Sequence, residues 1–189
     1  MPKGSKKSAI IDAAFALARR EGSDAVTARK VCAAAGVTPP TLYYHFSSQE
    51  GLREAVVEAA FERALGETHK ETLQDPVAEI VRGWDAYVAF ASAEPAIFSI
   101  MNASIISDTL PMPAAMALQT LSEQFEQLDR WKGNPKAAQQ AALTVWAAAH
   151  GIATMSAAAE LGGVPVVPHM SAAMRSATLS TVGLSGVET

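Results

Sequence analysis

An all-α fold is predicted for this chain on three observations. Of its 189 residues 49% are hydrophobic and alanine is abundant, while no segment is dominated by alternating Val, Ile, Thr and Tyr. Prolines stand where helices start: Asp75-Pro76 and Asn134-Pro135 each pair an N-cap residue with proline at the first helical position. Apolar residues recur at helical spacing, as in Ile11, Ala14, Leu17 and Ala18. About nine helices are expected, near 5–21, 27–34, 38–45, 48–70, 76–93, 95–104, 112–131, 135–161 and 168–183.

The first helix buries its Ile11/Leu17 stripe, carries Arg19 and Arg20 in its last turn, where cations oppose the helix dipole, and stops at Gly22. Thr27 caps the second, which ends at Gly36. The third begins at Pro39-Pro40. Its first four N–H groups lack internal partners in any case, so the prolines cost no ladder bond. A residue before proline is pushed from helical angles, so the helix is expected to begin at Pro40 with Pro39 as a stiff lead-in. Ser47-Ser48-Gln49-Glu50 is read as a capping box with Ser47 as N-cap, opening a long fourth helix. Glu94-Pro95, Leu110–Pro113 and Gly162–Pro168 mark the later joints.

Composition narrows the function classes. The low charged fraction, 18%, excludes a disordered body. The single cysteine, Cys32, excludes an intramolecular disulfide and fits a reducing, cytoplasmic setting. Asp12, Arg19 and Arg20 interrupt the apolar run a signal peptide needs. Ala137–Ala159 carries no formal charge, but its alanines, glutamines and His150 read as a buried or subunit-interface helix, not a membrane span. No HExxH, paired Cys/His or nucleophile motif is present, and His69 and Glu71 fall on different helix faces, so neither an enzyme nor a resident metal or cofactor is expected.

Charge is unevenly placed. Residues 1–53 hold eight Lys/Arg against four Asp/Glu, a net +4, whereas the rest of the chain carries −8. A basic head on an acidic body suggests polyanion binding at one end and another task at the other, here 1–53 and 54–189. Two short helices joined by Gly36-Val37-Thr38 suggest a helix-turn-helix, whose second helix enters the major groove. With Leu42 and Phe46 turned to the core, Thr38, Pro39, Pro40, Thr41, Tyr43, Tyr44 and His45 form the outer surface. Tyr43 has an alternative as a core residue, His45 as a helix cap, and Cys32 reads as a packing thiol.

The run VTARKVCAAAGVTPPTLYYHFSSQEGL, Val26–Leu52, resembles the DNA-binding domain of the TetR family of bacterial transcriptional regulators, a likeness extending over roughly residues 8–55. Trp146-Ala-Ala-Ala-His150-Gly151 is similar to the tryptophan/His-Gly signature of one class of the family's C-terminal domains. The resemblance implies a ligand-responsive dimeric repressor of a palindromic operator. It implies phosphate or base contacts from Thr27 and Arg29, base-edge contacts from Pro39, Pro40 and Thr41, and mixed contacts from Tyr43, Tyr44 and His45. Gln49 departs from the family's lysine, so that phosphate contact loses its charge; Lys3, Lys6 and Lys7 are candidates to replace it. The family layout further implies a small apolar or aromatic effector held near Trp84, Tyr87, Met101, Met116, Trp146 and His150, and a homodimer through helices 135–161 and 168–183. Although Trp84, Tyr87, Val88 and Ala91 lie at helical spacing, such a stripe also serves as plain core. A TetR-like activator and a metal- or redox-sensing regulator are the rival readings.

Overall fold

The computed structural model describes residues 6–66, 74–105, 111–162 and 168–184, and all regular structure within them is helical. The helices are α1 (Lys6–Glu21), α2 (Ala28–Ala35), α3 (Pro39–Phe46), α4 (Gln49–Gly66), α5 (Pro76–Ala93), α6 (Pro95–Ile105), α7 (Met112–Glu126), α8 (Pro135–Glu160) and α9 (Pro168–Thr181). A short 3-10 turn at Ser23–Ala25, absent from the sequence reading, links α1 to α2. By packing, the chain separates into two compact units, Met1–Glu62 with Ala96–Pro111 and Arg63–Pro95 with Met112–Thr189.

In the first unit α1 packs on α2, and α2 on α3. The core of this unit holds Ile10, Phe15, Leu17, Val31, Leu42, Phe46, Leu52 and Val56, all 5% exposed or less. The turn between α2 and α3 is a Schellman stop. Gly36 adopts φ 64°, and the Val37 N–H reaches back to the Cys32 carbonyl at 3.0 Å. Cys32 is buried in this packing. Ser23 and Ser99 hydroxyls meet at 3.4 Å, joining the 3-10 turn to α6.

Three boundaries differ from the sequence reading. α3 begins at Pro39, not Pro40: Thr38, at φ −85° and ψ 155°, is the extended N-cap, and both prolines occupy the first helical turn. Ser48, not Ser47, caps α4, its Oγ accepting from the Gly51 N–H at 2.9 Å. Ser47 instead ends α3 at φ 63° and ψ −40°, the centre of a γ-turn closed by the Ser48 N–H on the Phe46 carbonyl at 2.7 Å. α7 stops at Glu126 rather than continuing to 131. Bonds of the i→i+3 kind at Leu128 and Trp131 tighten the chain there, and Trp131 folds edge-on against Phe125 with ring centres 5.0 Å apart. The end expected for α4 near residue 70 lies outside the described residues.

In the second unit α8 is the central helix, packing on α5, α7 and α9. It is long and apolar enough by composition to cross a membrane, but Ala138, Ala142, Val145, Ala149, Ile152 and Ala153 are buried against its neighbours, as expected for a core helix. Asn134 caps it through the Ala137 N–H at 3.2 Å with Pro135 in the first turn, and Asp75 caps α5 through the Val77 N–H at 2.9 Å.

Candidate functional site

The outer face of α3 follows from the two side chains it buries. Leu42 and Phe46, four residues apart, turn inward, which leaves Thr38, Pro39, Pro40, Tyr43 and Tyr44 exposed and Thr41 and His45 half-buried. Tyr44 is 84% exposed and stands fully on the outer face, while Tyr43, at 44%, is exposed over less than half of its surface. The His45 ring lies between its neighbours, 5.2 Å from Tyr44 and 6.3 Å from Phe46 in edge-on geometry. At the opposite end Pro39 and Pro40 have no N–H to offer. The Thr38 hydroxyl bonds the Thr41 hydroxyl at 3.0 Å, making a tip of two rings and two hydroxyls.

The helix before it supplies cations and a cap. The Thr27 hydroxyl accepts from the Lys30 N–H at 3.4 Å. Lys30 Nζ is held by Glu21 at 2.8 Å, and Arg20 bonds the same carboxylate; the Lys30 hydrogen bond, then that of Arg20, keeps Glu21 below the ordinary carboxylate range. Arg29 is exposed on the same short helix. Lys7 on α1 places its ammonium 5.9 Å from the centre of the Phe46 ring, near the end of α3, while Lys3 lies outside the described residues. Gln49, at the start of α4, is exposed, and its carbonyl accepts from the Ala28 N–H at 3.1 Å. The first unit thus carries an aromatic and proline-tipped helix face flanked by lysine and arginine, suited to a nucleic-acid groove and its phosphates.

The second unit gathers part of the expected effector set. The Tyr87 hydroxyl on α5 lies 3.0 Å from His150 Nδ1 on α8, and Trp146, one turn earlier on α8, stacks on the His150 ring at 5.3 Å and 14°. Burial drives the Tyr87 pKa well upward, so its hydroxyl keeps its proton, and burial pushes His150 below its ordinary value, favouring the neutral ring. Trp84, one turn from Tyr87 on α5, is buried and donates its indole N–H to the Ser171 hydroxyl on α9 at 3.2 Å. Met116 on α7 is 61% exposed. Met101 is fully buried on α6, in the first unit. Among the described residues no group of His, Cys, Asp and Glu has the arrangement of a metal site. His69 lies outside them.

Sequence reasoning missed the α9 partners. Ser171 holds Trp84, and buried Arg175, one turn on, pairs with Asp85. Their four-residue spacing puts both on one face of α9, but their partners lie on α5, which that spacing does not reveal.

The family described as bacterial regulatory proteins, tetR family, matches residues 10–56, and that described as tetracyclin repressor-like, C-terminal domain, matches residues 80–179. No curated protein matches the chain. Similar solved structures include a TetR variant from Acinetobacter baumannii AYE in complex with minocycline, 20% identical with a TM-score of 0.68 over 97% of this chain and 96% of that one. A TetR-like transcriptional regulator from Rhodococcus sp. RHA1 is 16% identical, with a TM-score of 0.66 over 97% of this chain and 99% of that one. Salmonella enterica GusR is 22% identical, with a TM-score of 0.66 over 96% of this chain and 97% of that one.

Proposed function

The chain belongs to the TetR family of bacterial transcriptional regulators, and from that premise we propose that it is a ligand-responsive dimeric repressor acting in the cytoplasm. Residues 1–53 read the operator and 54–189 bind effector and partner. α3 enters the major groove with Pro39, Pro40 and Thr41 against base edges, while Thr27, Arg29, Thr38, Tyr43, Tyr44, His45 and Gln49 contact phosphates and neighbouring bases. The observation that carries this reading is the outward face of α3, where Tyr44 stands 84% exposed beside the proline tip on a basic head. Proline rings suit thymine methyl groups, so thymines are expected under Pro39 and Pro40.

The second copy is held by α8 and α9. Leu143 and Met155 on α8 and Met174 on α9 are each more than 40% exposed, apolar surface that a partner would cover. A two-fold dimer presents two copies of α3 to successive major grooves, which calls for a palindromic operator. The effector is small and apolar or aromatic, and Trp84, Tyr87, Met116, Trp146 and His150 of the second unit are its proposed contacts; the complex of the Acinetobacter protein with minocycline supports a small-molecule effector for this fold. An effector preferring the DNA-incompetent dimer weakens operator binding, and operator weakens effector binding by the same factor. Selection of genome-derived fragments by the purified protein tests the reading: a palindrome bound far more tightly than random DNA is expected, and binding with no sequence preference removes it.

A further inference from the structure

The hydrogen bond from the Ala28 N–H to Gln49 Oε1 joins residues 21 positions apart at 3.1 Å. Ala28 opens α2, so its N–H is one of the donors a helix leaves without an internal partner. α2 is therefore capped twice, locally by the Thr27 hydroxyl on the Lys30 N–H and from a distance by the first residue of α4. The same turn of α4 is also pressed against α3. The chain passes from α3 to α4 through the γ-turn at Ser47, and a side chain at Gly51 would collide with the Phe46 carbonyl oxygen. α4 thus grips both helices of the helix-turn-helix, α2 through a side chain and α3 through the backbone.

Glutamine can do two things here at once. Its carbonyl accepts, and its amide nitrogen carries two donor protons. With Oε1 fixed on Ala28, Nε2 belongs to an exposed side chain anchored at the junction of the α2 and α4 N-termini. Lysine has no acceptor and cannot cap Ala28; glutamate keeps the acceptor and loses the donors.

We propose that Gln49 is a positioning residue for DNA binding: by tying α2 to α4 through Ala28 it fixes how the α2 N-terminus and its own amide, already proposed as a phosphate contact, meet the DNA backbone. The inference rests on the head's binding of DNA.

The test compares wild type with Gln49→Glu, Gln49→Lys and Gln49→Met. Hydrogen exchange of the Ala28 amide is followed without DNA. Affinity for a fluorescein-labelled random-sequence duplex of about 40 base pairs is measured by anisotropy across a salt series. Ala28 exchange is expected to stay slow in wild type and Gln49→Glu and to rise roughly fivefold in the Lys and Met variants, as for loss of one hydrogen bond. Gln49→Met should bind the duplex several-fold more weakly at unchanged salt slope, and Gln49→Lys should steepen the slope by about 0.9. Gln49→Glu should bind weakly despite its intact cap. Unchanged Ala28 exchange in Gln49→Met overturns the cap. Fast exchange with wild-type affinity in that variant overturns the positioning role. A wild-type salt slope in Gln49→Lys overturns the phosphate contact, and a wild-type protein that does not bind the duplex overturns the DNA-binding premise itself.

Discussion

At the scale of single residues, exposure separates the side chains proposed to read DNA from those that hold the fold. Arg29 and Tyr44 both face outward, so replacing either with alanine should leave folding within about 0.5 kcal/mol of wild type. Operator binding should weaken by about 1–3 kcal/mol for each, read by mobility shift beside a thermal melt. Wild-type operator affinity in either variant would count against that assignment. His150 offers a second handle. Burial lowers its folded pKa below the ordinary 6.5, so the unfolded chain takes up the proton first as pH falls. Stability from this group is complete above about pH 6.5, declines as pH drops below it, and levels off beneath the folded pKa. Melting temperatures from pH 8 to 5 should therefore fall more in wild type than in His150→Gln; parallel curves would show that burial does not disfavour the charged ring.

At the scale of elements, the joint between α3 and α4 leaves no room for a side chain at Gly51. Gly51→Ala drives a methyl group into the Phe46 carbonyl oxygen, which is backbone and cannot swing aside. A loss of about 1–3 kcal/mol is expected, with weaker DNA binding because α3 must shift, both checked by urea unfolding and anisotropy. An unchanged unfolding midpoint would mean that the joint yields freely. Most elements were legible in the sequence because their signals are local: Asp75-Pro76, Asn134-Pro135 and the Gly36 stop each act within one helical turn. The misread positions depend on longer-range geometry. Both Ser47 and Ser48 are capping residues by type, and only the γ-turn that fits α3 against α4 decides that Ser48 does the capping. The end of α7 was hidden because the packing of Trp131 on Phe125, not a breaker residue, bends the chain at 127.

At the scale of the whole molecule, the proposed function divides the work of a regulator between a basic reading head and a helical body. The helix-turn-helix face was readable because an eight-residue helix with Leu42 and Phe46 inside leaves few choices for its outside. The body's cluster was readable only in part. Trp146 and His150 stack one turn apart on α8, but Tyr87 reaches His150 only through the packing of α5 on α8, 63 positions apart, which no local pattern specifies. Ser171 and Arg175 went unseen for the same reason, since their partners Trp84 and Asp85 lie on another helix. Two copies of α3 spaced by a dimer through α8 and α9 are the central claim, and hydroxyl-radical footprinting on the selected operator tests it most directly. Two protected patches centred about 34–36 Å apart, bound by two copies of the chain, are expected; a single patch occupied by one copy would contradict the dimeric reading of the operator.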